Sequence, residues 1–281
     1  MSALISIAQG LIAQGDQFIQ KHGHEKFHKK ASELLSKGQC HLYINPEELM
    51  ITSLKSTFKV DQNFSSFEFS DFPLTIARGE SCFVDVYFWR RRSTVIHNHH
   101  FSGAFQCLAG LNADMEFSFN EKQKLGKFHA LGEVKLIHQK LIKPGEIQEI
   151  APMEGYIHQN HHHADLTINL CFRTPQMTHG SISNYLYSGL ACEKNHSLLE
   201  RGDRLWKILQ LGKVNPSSLD LDLDDALYFH LMTDGSGSQN PQVHECKSHL
   251  SKLVLNQSGI DIEKLLAEHN HELDRLFAES N

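Results

Sequence analysis

The spacing of apolar residues changes character twice along the chain. In the first fifty residues it is helical. Leu4, Ile5, Ile7, Leu11, Ile12, Phe18 and Ile19 recur near three- and four-residue intervals and predict an amphipathic helix over 3–22. Phe27, Ala31, Leu34 and Leu35 predict a second over 25–37, ending at Gly38, a residue suited to a C-cap. Pro46-Glu47-Glu48 has the make-up of a first helical turn, so a short third helix is expected over 45–53. From about Phe58 the texture becomes Phe-rich alternation, followed by FVDVYFW at 83–89. Such β-branched and aromatic runs predict strands, and further strands are expected over 93–99, 104–109, 113–119, 127–130, 133–142, 146–150 and 166–173. Many short strands separated by turn residues such as Gly110-Leu111-Asn112 and Pro144-Gly145 predict an antiparallel sandwich or barrel.

Past Pro175 helical spacing returns, over 197–211 (ending at Gly212), within 215–232, and over 243–256 and 259–279, with 234–242 as a loop. The acidic run Leu219–Asp225 lacks the spacing and the glycine of a calcium loop and reads as a solvated helix start. The expected plan is an N-terminal helical segment (1–57), a β-barrel (58–178) and a C-terminal helical region (179–281), mainly β with flanking helices.

Composition narrows the function classes. The 281 residues carry a net charge of −6 with 21% charged residues, so no basic footprint for nucleic acid exists; Arg90-Arg91-Arg92 is too short to be one. The six cysteines are dispersed without a CxxC pair, which fits a reduced cytoplasmic protein better than a disulfide framework. The N-terminus lacks a basic flank and an unbroken apolar run, so neither a signal peptide nor a membrane span is expected.

Twenty residues are histidine, and seven of them lie in two windows, Val95–Gly110 (VIHNHHFSGAFQCLAG) and Pro152–His163 (PMEGYIHQNHHH). His97 and His99, two apart on a strand, project to one face and can share a metal ion. His158 is the candidate third ligand. His161, His162 and His163 lie in a solvent loop, form a second site, or replace His158. Tyr156, two residues before His158, is a candidate proton donor at the mouth of a cavity. Phe105 and Cys107 share parity with Gly103 and are expected to line the barrel interior.

These windows resemble the two motifs of the cupin superfamily, double-stranded β-helix barrels of jelly-roll type. The usual first motif is HxH, three or four residues, Glu, six residues, Gly; the chain has His97-x-His99, three residues, Gly103, six residues, Gly110. The usual second motif runs Gly, a short strand, Pro-x-Gly-x-x-His; Gly145 and Pro152-x-x-Gly155-x-x-His158 match it with an extra residue on each side of the proline. Glycine replaces the usual glutamate ligand. Among cupins, a three-histidine site without that glutamate looks like the thiol dioxygenases. The resemblance implies Fe(II) on His97, His99 and His158 (Zn, Mn or Ni being alternatives), a small-molecule thiol and dioxygen as substrates, and a sulfinate product. It further implies an arginine clamping a substrate carboxylate, for which Arg78, Arg91 and Arg173 are candidates. Cupins also commonly pair through the barrel face, and the flanking amphipathic helices either cover that face or make the contact, so the resemblance leaves both a monomer and a homodimer open. The family's Ser-His-Tyr relay is missing: the corresponding strand presents Thr167, Asn169 and Cys171. A non-oxidative metal-dependent isomerase or lyase, and a non-catalytic ligand-binding barrel, are the alternative functions.

Overall fold

A computed structural model describes residues 2–55, 60–62, 70–175, 182–193, 196–211, 219–233 and 241–279. The first helices fall where apolar spacing places them: α1 is Ser2–His22, α2 Phe27–Gly38 and α3 Pro46–Ser53. Gln39 rather than Gly38 takes the left-handed turn that ends α2 (φ 45°), its N–H donating to Leu35 O at 3.2 Å. Asn45 caps α3, its Oδ1 accepting the Glu48 N–H at 3.0 Å. Phe58, residues 63–69 and most of the expected loop 234–242 lie outside the described residues.

The strands are β1 Phe72–Arg78, β2 Phe83–Trp89, β3 Arg92–Ser93, β4 Ile96–His99, β5 Gly103–Ala109, β6 Asn112–Lys124, β7 His129–Ile142, β8 Ile147–Ile150, β9 Met153–His162, β10 Thr167–Arg173, β11 Ser183–Tyr185 and β12 Leu190–Glu193. Two compact units result, one made of residues 1–117 and 136–180, the other of 118–135 and 181–281.

In the first unit β1, β2, β10, β5 and β8 form one antiparallel sheet. The short β3 and β4 pair along one edge of β9, and β6 pairs along its other edge. Taking β2 and β4 to β10 as the eight barrel strands, one sheet orders them first, eighth, third, sixth and the other second, seventh, fourth, fifth. That order is a jelly roll. Side-chain alternation divides the first sheet cleanly. Val84, Val86, Phe88, Ala104, Leu108, Ile168, Leu170 and Phe172 pack under α1 and α2. Tyr87, Trp89, Phe105, Cys107 and Cys171 face the other way, against Ile150 and Tyr156. β2 is therefore buried on both faces, which is why FVDVYFW reads as an almost unbroken apolar run.

The second unit packs α4 (His196–Leu211), α5 (Leu223–Thr233), α6 (Pro241–Ser258) and α7 (Ile262–Glu279) around Leu205, Leu227, Phe229, Leu250 and Ile262, with β11 and β12 antiparallel. Its acidic helix start differs from expectation, because Asp224 and Asp225 are buried rather than solvated. Asp224 accepts hydrogen bonds from the Lys127 N–H (2.8 Å), the Phe128 N–H (3.1 Å) and His129 Nδ1 (2.7 Å), fastening the β6–β7 turn to α5. Burial pushes this carboxyl up, but the hydrogen bonds from His129 and the two amides outweigh it and hold Asp224 below the ordinary aspartate range. Asp224→Ala is expected to cost about 3 kcal/mol at neutral pH, since it orphans three donors. A depressed carboxyl stabilises above its unfolded value of about 4 and loses that contribution as pH falls through its lower native value. Urea unfolding will therefore separate the wild type from the variant most at neutral pH, with the gap narrowing in acid.

No helix among the described residues is long and apolar enough to cross a membrane, and none of the six cysteines is in a disulfide.

Candidate metal centre

β4 and β9 lie side by side, with His97 paired directly opposite His158 and a register shift between His97 and His99. The shift lets both β4 histidines reach one point. Ligand nitrogens of His97, His99 and His158 lie within 4.8 Å of one another, on side chains that are almost wholly buried. His99 Nε2 lies 2.9 Å from His158 Nε2. Nitrogens bound to one divalent metal at about 2.0–2.1 Å stand about 3 Å apart, so the trio fits such an ion. The second barrel strand thus carries the HxH pair and the seventh carries its partner. The fold is that of the cupins.

Tautomers follow from each second ring nitrogen. His97 Nδ1 is 2.8 Å from the Val95 carbonyl, which only accepts, so that nitrogen carries the proton and Nε2 keeps its lone pair. His158 Nδ1 donates to Asp114 Oδ1 at 2.8 Å, leaving its Nε2 to ligate as well. A carboxylate behind a histidine in this way fixes ring orientation and raises ligand basicity. Tyr156 donates its hydroxyl to the other oxygen of Asp114 at 2.6 Å. Burial, with the charges of His97, His158 and Arg173 behind it, holds His99 well below its ordinary value, so its ring is neutral as a ligand must be. Burial and Asp114 push the Tyr156 phenol well above its ordinary range, so it stays protonated at neutral pH.

The remaining sequence candidates separate. Gly155 lies within β9, and the break between β8 and β9 is confined to Ala151 and Pro152 before Met153, whose φ is 60°. His161 and His162 belong to β9 and are buried, not in a solvent loop. His162 stacks on Trp89 (ring centroids 4.6 Å, 15°) and contacts Asn112 Oδ1 at 2.6 Å, and burial lowers it to about 3. His161 contacts Ser93 Oγ at 2.6 Å. Arg91 would share parity with His97 only on an unbroken strand. The strand is interrupted after Trp89 and again after Ser93, so Arg91 stays exposed, beside Asp71, Arg90, Arg92 and Asp165. Arg78 is exposed at the end of β1, over the Phe83 ring at 5.0 Å. Arg173 does enter the barrel, but Asp85 already holds it, through Nε at 2.8 Å and Nη2 at 2.7 Å.

Gly103 sits directly across from Arg173 on β10. A Cβ there would lie 2.5 Å from the Phe172 carbonyl oxygen and 2.8 Å from Arg173 Cβ. The missing carboxylate therefore reflects a close approach of two strands, and no side chain can be added without moving β10. Gly103→Ala is expected to destabilise by about 1–3 kcal/mol through overpacking. Gly103→Glu is expected to unfold more readily still without gaining metal affinity, which a metal titration beside urea unfolding will check.

A cavity of about 30 Å³ adjoins the trio, lined by His99 and His158 with Tyr87, Trp89, Phe101 and Phe105 among its walls. Two participants escaped the sequence reading, Asp85 and Asp114. The signal existed in both cases, as an acidic residue at interior parity within an apolar strand, in FVDVYFW and in NADMEF.

No family model matches the chain, and no curated protein sequence matches it. Among solved structures it is similar to hydroquinone 1,2-dioxygenase from Sphingomonas with 4-hydroxybenzoate bound, at 6% identity and a TM-score of 0.30, covering 37% of this chain and 66% of that one. It is also similar to a cupin sugar phosphate isomerase from Silicibacter pomeroyi (12%, TM-score 0.29, covering 44% and 76%) and to a DMSP lyase from Ruegeria pomeroyi (12%, TM-score 0.27, covering 45% and 57%). The chain thus spans just under two thirds of the hydroquinone dioxygenase and less of the lyase. At TM-scores this low the likenesses carry no argument, and the cupin fold rests on strand order and on the placement of the histidines.

Proposed function

We propose that the chain is a mononuclear metal-dependent cupin oxygenase, most like a thiol dioxygenase, oxidising a small thiol to a sulfinate. One observation carries this reading: three buried histidines converge on one point, and glycine stands where the usual carboxylate ligand would be. His97, His99 and His158 would hold Fe(II). When bound, the metal supplies open coordination positions and an undiminished double charge that favours thiolate over thiol.

The chain's own side chains supply the rest. Asp114 orients His158 and holds its tautomer. Tyr156 keeps its proton on the phenol oxygen beside the site, its ring 4.4 Å from that of His158. Trp89, Phe101 and Phe105 wall the cavity with apolar surface and limit water. In the overall reaction RSH and O₂ give RSO₂H. Both oxygen atoms are transferred to sulfur, which loses the four electrons that dioxygen gains, and the thiol proton remains on the sulfinic acid or passes to solvent.

Oxygen uptake by the iron-loaded protein tests this with cysteine, cysteamine and mercaptopropionate. Consumption of one O₂ per thiol supports the reading, and no uptake with any of them removes it. A non-oxidative cupin isomerase or lyase shares the ligand set. It is favoured by the commitment of Arg173 to Asp85, which removes the one buried arginine from service as a carboxylate clamp. Turnover by the Zn-, Mn- or Ni-loaded protein without dioxygen would select that function instead.

A further inference from the structure

Of the twelve large apolar residues exposed among the described residues, five fall between Leu42 and Leu54. Single apolar residues are ordinary on a surface, whereas a concentration of them marks a contact site. Leu42 and Tyr43 belong to a 3₁₀ turn, Cys40–Tyr43, that leads into α3. Glu47, Met50, Ile51 and Leu54 follow at i, i+3, i+4 and i+7, so they share one face of that helix. Leu54 keeps helical dihedrals (φ −87°, ψ −9°) and is 85% exposed. Another face of α3 carries Leu49, which is buried in the core shared with α1 and α2. A helix that is apolar on opposite faces is suited to burial on both. Only one face of α3 is covered.

The charges along the open face indicate what covers it. Glu47 begins the stripe, with Glu48 beside it. Lys55 ends it, its N–H turned back onto the Thr52 carbonyl at 3.0 Å. Glu47 and Lys55 are exposed, and neither has an opposite charge three or four residues away, the spacing at which neighbours on a helix meet. The face therefore runs acidic, apolar, basic over roughly 12 Å of helix. Two such faces laid parallel would set like charges together. Laid antiparallel about a twofold axis, they set Glu47 of each copy beside Lys55 of the other, and Met50 of each against Ile51 of the other. Leu54 of each copy then reaches the Leu42–Tyr43 end of the other.

We infer that α3 is a self-association surface, through which two copies of this chain pair antiparallel with Met50 and Ile51 at the axis. The contact uses no barrel strand, and it is independent of the chemistry proposed for the metal centre.

Sedimentation velocity of the full chain over a wide range of concentration tests this. A reversible dimer is expected. Ile51→Glu and Leu54→Glu, both at exposed positions, are each expected to weaken it at least about tenfold, the scale of an apolar anchor at the centre of an interface. Glu47→Lys and Lys55→Glu should each weaken it severalfold. The double variant Glu47→Lys/Lys55→Glu should return it toward the wild type, because the exchanged charges meet only between antiparallel copies. Circular dichroism checks that each variant is folded. A monomer at every concentration overturns the inference, including one that floats with phosphatidylcholine vesicles, which would assign the face to a lipid surface instead. A dimer indifferent to Ile51→Glu and Leu54→Glu overturns it too, as does a double charge exchange that does no better than the single ones.

Discussion

Asp85→Ala is expected to destabilise the first unit by about 3–5 kcal/mol, the cost of leaving a buried charge without its partner. Asp85 is 1% exposed in the middle of β2 and receives four hydrogen-bonding groups. Thr75 Oγ1 donates to Oδ1 at 2.7 Å, while Oδ2 accepts from Tyr87 OH at 3.1 Å and from Arg173 Nε and Nη2 at 2.8 and 2.7 Å. Removing the carboxylate strands a guanidinium that is 4% exposed, boxed between the Phe83 and Phe101 rings at 5.3 and 5.2 Å. The double variant Asp85→Leu/Arg173→Met removes both charges and is expected to recover much of the loss. Urea unfolding of the wild type, both single variants and the double variant forms a closed cycle. A cost near zero for Asp85→Ala would mean that the pair is not the neutralised anchor described, and Arg173 would return as a carboxylate clamp.

Asp114→Ala is expected to lower metal affinity about 10- to 100-fold, the usual consequence of removing the group behind a ligating histidine. Without it, His158 can rotate or change tautomer and present an N–H where a lone pair is needed. Asp114→Asn retains an acceptor for one of its two donors and should lose less. Competition against a chelator measures both. Since Tyr156 OH and His158 Nδ1 share this carboxylate, Tyr156→Phe should change the affinity far less than either Asp114 variant.

The periodicity of the chain carried most of the architecture. Apolar spacing located α1 to α3, and β-branched and aromatic runs located β2, β5, β6 and β10, because those elements bury one face or both against well-defined neighbours, whereas the expected strands 127–130 and 133–142 are one continuous β7. The β9 segment was hidden by composition. PMEGYIHQNHHH holds a proline, a glycine and five polar residues in a row from His158 to His162, which in isolation suggests a turn and a solvated tail. It folds as a strand because β4 and β6 flank it, and His158, His162, Gln159 and His161 each find a partner within the barrel, in Asp114, Asn112, Thr94 and Ser93 respectively. The convergence of His97, His99 and His158 was legible because strand parity and motif spacing are local properties. The fate of the arginines was not, since it depends on which strand Arg173 meets and on two breaks between Trp89 and Ile96. The meaning of Gly103 changed as well. Its lack of a carboxylate is tied to the close approach of β5 and β10, a contact that no local pattern reveals.

The central claim is that His97, His99 and His158 together hold one metal ion. Elemental analysis after anaerobic loading with Fe(II) and removal of excess metal tests it most directly, on the wild type and on His97→Ala, His99→Ala and His158→Ala, with circular dichroism as the check on folding. One equivalent of iron per chain in the wild type, and loss of nearly all of it in each folded variant, is the result expected. A wild type that retains no metal, or three variants that keep a full equivalent, would contradict it.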